Sequence, residues 1–133
     1  MILFTSDLLF GSKILGAAKY AGLRGQGIRS RAALAQHGPI ASWYFLDLEA
    51  ELAEQESAEV LLEAALCHPQ LRVVAFAGHL QTDALKAARE RLTRAGSTHE
   101  VHSRGSLNAR LSAIIPPLAA PSQVPPPQIG GVL

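Results

Sequence analysis

The stretch "WYFLDLEAE", residues 43–51, decides the fold. Trp43, Tyr44, Phe45 and Leu46 read as a buried strand, and they run into one carboxylate, Asp47. An acidic, helix-favouring segment follows. A second apolar run, "LRVVAFAG" (71–78), also lacks polar alternation, as expected of a strand covered on both faces.

Working outward, short apolar runs alternate with amphipathic stretches. Strands are predicted at 1–6, 25–30, 42–48, 71–78 and 98–103. Helices are predicted at 11–22, 30–38, 57–68, 82–96 and 106–115. Ser30 and Ser57 are expected N-caps. Gly22, Gly38 and Gly96 lie where helices stop, and Pro116 and Pro117 end the last one. The first helix is expected to bury Ile14, Leu15, Ala18 and Ala21, and the third Val60, Leu61, Ala64 and Ala65. Strands that alternate with helices build a parallel sheet with helices on both faces. Five such units in residues 1–115 fit an α/β, flavodoxin-like three-layer sandwich with strand order 2-1-3-4-5. Residues 116–133, "PPLAAPSQVPPPQIGGVL", are rich in proline and small residues and are expected to form a flexible tail.

Composition narrows the function. The chain has 133 residues, one domain by length, with 48% apolar residues and a net charge of +1. No strong field points to nucleic acid or an anionic membrane. Arg24, Arg29 and Arg31 have no interleaved aromatics and read as solvated surface charge. The single cysteine, Cys67, excludes an internal disulfide, suggests a reducing compartment and reads as core filler. "MILFTSDLLF" has no basic leader or cleavage site, and no apolar run reaches the length of a membrane span, so a cytoplasmic protein is expected.

Open parallel sheets bind ligands beyond the carboxyl ends of their strands, where the strand order reverses. That point lies between strands one and three, which end at Ser6-Asp7 and at Asp47. The topology therefore brings Asp7 and Asp47 to one rim. Two carboxylates there repel each other, and a hard cation such as Mg²⁺ would relieve the repulsion. The plainer reading is a strand-end aspartate that caps the next turn through backbone N–H groups. Leu8, Leu9 and Phe10 are expected in a loop beside this rim, either covering the core or contacting a partner. They are too bulky and apolar to cradle a phosphate, which argues against a flavin or nucleotide binder, the enzyme-class alternative. His99 and His102 sit on opposite faces of a strand and are no metal pair. His79 follows strand four at the rim.

"ILFTSD" at the first strand end, "WYFLDL" at the third and "RVVAFAG" at the fourth resemble the receiver domains of bacterial response regulators. The resemblance covers residues 1 to about 115. It implies Asp47 as the phosphoacceptor position and an acidic pair at the end of strand one as a Mg²⁺ site. Here that pair is Ser6-Asp7, with one carboxylate missing. The switch Ser or Thr falls on Ala77, and the lysine that ends strand five falls on Ser103 or Arg104. Such losses weaken Mg²⁺ binding and remove partners for a phosphoryl group. The resemblance therefore implies a degenerate pseudo-receiver: a non-enzymatic signalling module acting through a protein partner, a second copy of the chain being one candidate. By the same resemblance the partner surface lies near Leu92, Val101 and Leu111, although their helical and strand positions suit core packing equally well. The alternative it leaves open is a working receiver phosphorylated on Asp47 with Mg²⁺ at Asp7.

Overall fold

The computed structural model describes residues 1–50 and 57–116. Its elements alternate along the chain: β1 (Ile2–Phe4), α1 (Leu8–Tyr20), β2 (Gln26–Gly27), α2 (Arg31–His37) with a 3-10 turn (Gly38–Ile40), β3 (Trp43–Asp47), α3 (Ala58–Ala65), β4 (Arg72–Ala77), α4 (Thr82–Ala95), β5 (Glu100–Ser103) and α5 (Arg104–Ile114). The five strands form one parallel sheet in the order β2-β1-β3-β4-β5. This is the expected flavodoxin-like architecture.

The period-two geometry of a strand explains the two cores. Tyr44, Leu46, Val73 and Ala75 point to one face, where they meet Leu34 of α2, Leu61 and Leu62 of α3, and Ala88 and Leu92 of α4. Leu3, Phe45, Val74 and Phe76 point to the other, where they meet Phe10 and Ile14 of α1 and Leu107, Leu111 and Ile114 of α5. Both faces of β3 and β4 are thus covered, which is why their sequences carry no polar alternation.

Side chains close the amino ends of four helices. Asp7 accepts from Phe10 N, Ser30 from Ala33 N, Ser57 from Val60 N and Ser103 from Ser106 N. Each such cap contributes about 0.5–2 kcal/mol.

Several boundaries and faces differ from the sequence expectations. β1 ends at Phe4, and α1 starts at Leu8 rather than residue 11. The Asp7 cap starts the helix early, so Leu8, Leu9 and Phe10 form its first turn and not a loop. Phe10 is consequently buried, edge-to-face with Phe76 at 5.2 Å between ring centroids, and is no contact for a partner. Leu8 and Leu9 are exposed. In α3 the inward residues are Leu61, Leu62 and Ala65, while Val60 lies on the exposed side. Cys67 is exposed, not core, because it follows the end of α3 where the chain turns outward. β2 is only two residues long. Residues 51–56 and 117–133, including nearly all of the proline-rich tail, lie outside the described residues. Among the described residues no helix is long and apolar enough to cross a membrane.

Candidate functional site at the carboxyl edge of the sheet

Asp47 is the last residue of β3 and the only charged residue in the described core, with 1% of its surface exposed. Such a carboxylate must have its oxygens satisfied. Oδ1 accepts the backbone N–H of Glu49 at 2.9 Å, which turns the chain away from the sheet; Ala50 N donates to the Asp47 carbonyl at 3.2 Å. Oδ2 accepts the Thr5 hydroxyl at 2.6 Å and faces Arg104 Nη2 at 3.3 Å. The turn-capping role expected of a strand-end aspartate is therefore present, together with an ion pair.

Thr5 ties the two strand ends together. Its Oγ1 donates to Asp47 and accepts from Asp7 N at 3.1 Å. Asp7 in turn caps α1, its Oδ1 accepting Phe10 N at 3.0 Å. Asp7 and Asp47 thus converge as the topology requires.

Arg104 is the first residue of α5, so its side chain starts at the rim. Its guanidinium reaches three carboxylates from two parts of the chain: Asp47 at 3.3 Å and Glu49 at 3.3 Å, at and just after the end of β3, and Asp7 at 3.7 Å before α1. Arg104 Nε is buried without a hydrogen-bond partner, so the Asp7 contact is purely Coulombic. The rings of Phe10 and Phe76 lie beneath, both 5.8 Å from the guanidinium carbon, near the limit of cation–π attraction. Glu49 Oε2 also accepts the Gly78 N–H at 2.7 Å, joining the end of β3 to the residue after β4.

The remaining rim residues fall around this cluster. Ala77 is fully buried and pairs in register with Ser103 across the sheet, with no hydroxyl to offer. Ser103 spends its own hydroxyl on capping α5. Ser6 is exposed. His79 is exposed and lines an open cavity of about 540 Å³ with Lys13, Leu9, Gly105 and Asn108. His99 lies before β5, away from the rim, and its Nδ1 accepts Val73 N at 3.0 Å; His102, in the register row of Phe76, pairs with Glu100 at 2.8 Å.

A divalent cation between Asp7 and Asp47, the site implied by the resemblance, does not fit this donor set. The guanidinium already stands between those carboxylates. Among the described residues no group of three or more His, Cys, Asp and Glu is arranged to hold a metal. A phosphate cradle at the start of α1 fits no better, because Phe10 N and Gly11 N both donate to Asp7.

Thr5 and Glu49 were not legible as site residues. Thr5 carried one signal: a Thr two residues before an aspartate at a strand end is placed to close a local turn through its hydroxyl. Glu49 lies in the acidic, helix-favouring segment after Asp47, where nothing in the sequence singles it out.

No protein-family model matches the chain, and no curated protein does. Solved structures match its fold. The CheY-like response regulator receiver domain of Methanospirillum hungatei JF-1 aligns over 86% of this chain and 90% of its own, with TM-score 0.56 and 11% identity. A response regulator from Burkholderia pseudomallei, solved with a phosphorylated aspartic acid, a calcium ion and citrate, covers 86% of this chain and 64% of that one, with TM-score 0.62 and 11% identity. NtrX from Brucella abortus covers 86% of this chain but only 25% of that protein, with TM-score 0.62 and 19% identity. The chain is thus similar in fold to receiver domains.

Proposed function

We propose that the protein is a signalling module of receiver-like fold that works through protein contacts without conventional phosphorylation of Asp47. The single observation that carries this reading is the occupancy of the Asp47 carboxylate. Oδ2 already has two donors, the Thr5 hydroxyl and the Arg104 guanidinium, and Oδ1 holds the Glu49 N–H. Attack on a phosphoryl donor needs an oxygen lone pair free and directed outward, with a metal beside it to neutralise charge. Here the neutralising charge is a guanidinium already shared among Asp47, Glu49 and Asp7, not a small ion with open coordination positions for an incoming phosphoryl group. Ala77 adds no hydroxyl that would respond to a new anion by moving the end of β4.

A module of this kind acts by the surface it presents. Leu8 and Leu9 are exposed at 77% and 87% on the first turn of α1, and Leu80 at 79% on the turn after β4. Large apolar groups left at one edge of a small domain suit a protein partner.

The test is incubation of the wild-type chain and an Asp47→Asn variant with acetyl phosphate, and separately with beryllofluoride, each with Mg²⁺. The two proteins are expected to keep unchanged intact masses and identical Trp43 fluorescence. A phosphoryl mass gain in wild type alone would overturn the reading in favour of a phospho-accepting receiver. A co-purifying flavin or nucleotide would overturn it in favour of a cofactor-binding domain.

A further inference from the structure

Oε2 of Glu49 accepts the Gly78 N–H at 2.7 Å and faces Arg104 Nη1 in an ion pair at 3.3 Å. The first is short and charge-assisted, a stronger class of hydrogen bond than a neutral pair. The base of the side chain is itself fixed, since Glu49 N donates to Asp47 Oδ1 at 2.9 Å and Leu48 N donates to Phe76 O at 2.8 Å. Across the contact, Gln81 N donates to Gly78 O at 2.9 Å and closes the turn that carries His79 and Leu80. A backbone N–H and a guanidinium that converge from two elements make a small oxyanion seat. The chain's own carboxylate fills it.

We infer that Glu49 is a tethered anion occupying an oxyanion seat built from the Gly78 N–H and Arg104, and that it thereby latches the end of β3 to the turn after β4. The inference deepens the reading of the rim as an internally closed ion cluster and rests on it. Its chemical consequence is specific. Remove the carboxylate and the seat becomes open to a free tetrahedral oxyanion such as inorganic phosphate, held by the same N–H and the same guanidinium. Keep it, and free phosphate has nothing to bind. The turn bearing Leu80 is then held in one position without any modifying event.

Two variants of the full chain test this. Glu49→Ala empties the seat, and Glu49→Gln keeps an acceptor oxygen for Gly78 N while removing the charge. Glu49 is exposed at the edge of the fold, so both are expected to fold with wild-type circular dichroism. In wild type the Gly78 amide is expected to be protected from hydrogen exchange, and millimolar inorganic phosphate without Mg²⁺ leaves its NMR resonance in place. In Glu49→Ala protection falls about tenfold or more, and phosphate shifts the Gly78 resonance and restores protection. Glu49→Gln retains part of the protection. Adding Arg104→Ala to Glu49→Ala abolishes the phosphate response. Unchanged Gly78 protection in Glu49→Ala, or an equal phosphate shift in wild type and variant, overturns the inference. Either result leaves the inertness of Asp47 toward phosphodonors untouched, so the two readings fail separately.

Discussion

Arg104 Nη2 stands 3.3 Å from Asp47 Oδ2, so the carboxylate buried at the end of β3 is balanced by a cation from the start of α5. Removing one partner of a fully buried pair costs about 3–5 kcal/mol, because the other charge stays behind uncompensated. The Arg104 side chain is 31% exposed, however, so water replaces part of what is lost. Arg104→Ala is therefore expected to destabilise by about 1–3 kcal/mol. Asp47→Asn leaves the guanidinium with Asp7 and Glu49 and is expected to cost less than Arg104→Ala. Urea midpoints of the two variants check the order; an Arg104→Ala midpoint equal to wild type would show that the pair contributes nothing.

The same variant brings out the charge that Arg104 neutralises. Without it, Asp7, Asp47 and Glu49 lose the cation that contacts all three. A hard divalent ion then relieves the repulsion through oxygen ligands. Millimolar Mg²⁺ or Ca²⁺ is expected to raise the melting temperature of Arg104→Ala by a few degrees, the effect of a ligand about tenfold above its dissociation constant. Wild type is expected not to respond. An equal rise in both proteins would mark a general salt effect and sink the prediction.

His99 gives the fold a pH dependence away from the rim. Its Nδ1 accepts Val73 N at 3.0 Å, which requires a neutral ring with that nitrogen bare. Burial lowers its pKa below the ordinary value of 6.5, and the nearby Arg72 guanidinium lowers it further. Glu100, the carboxylate on the next residue, is already paired with Arg72 and His102. The folded state thus binds fewer protons than the unfolded chain in this range. The stability contributed by neutral His99 is complete above about pH 6.5 and is lost as pH falls through the folded value. Urea midpoints at pH 7.5 and pH 5.5 are expected to differ in that direction, and His99→Ala to reduce the difference while costing about 0.5–1.5 kcal/mol at pH 7.5 for the unpaired Val73 N–H. An unchanged pH difference in the variant would assign it elsewhere.

The sheet order is legible because β1, β3 and β4 are buried on both faces, and that leaves uninterrupted apolar runs separated by amphipathic stretches. The meeting of Asp7 and Asp47 followed from topology alone. The occupant of that meeting point did not. Arg104 read as the neighbour of a strand end, and only the direction of a long side chain leaving the first residue of α5 carries it to three carboxylates. Glu49 is hidden in its acidic surroundings: nothing in the run of charges marks the residue that receives the Gly78 N–H. The start of α1 was missed for a local reason. Asp7 follows the apolar run of β1 and so reads as a strand terminus, but an aspartate before Leu8, Leu9 and Phe10 with apolar residues recurring at Phe10, Ile14 and Ala18 is also an N-cap signature. Cys67 misled through composition: buriedness is a tendency of the residue type, and the end of α3 overrides it.

Tyr44 offers a prediction about the core. The side chain is fully buried in the middle strand, and its hydroxyl has no hydrogen-bond partner. Burial pushes the phenol pKa well above its usual value. A hydroxyl stripped of water without compensation costs about 1–3 kcal/mol by mutational measures. Tyr44→Phe deletes that oxygen, keeps the ring that packs among Leu46, Val73 and their neighbours, and leaves only a small void. The net expectation is a stabilisation of about 0.5–2 kcal/mol, since the void takes back part of the gain. It is read as a higher urea midpoint with an unchanged slope, the sign that stability and not the extent of unfolding has moved. A lower midpoint would mean that the hydroxyl is satisfied in solution, for instance by a bound water, and the orphan assignment would fall.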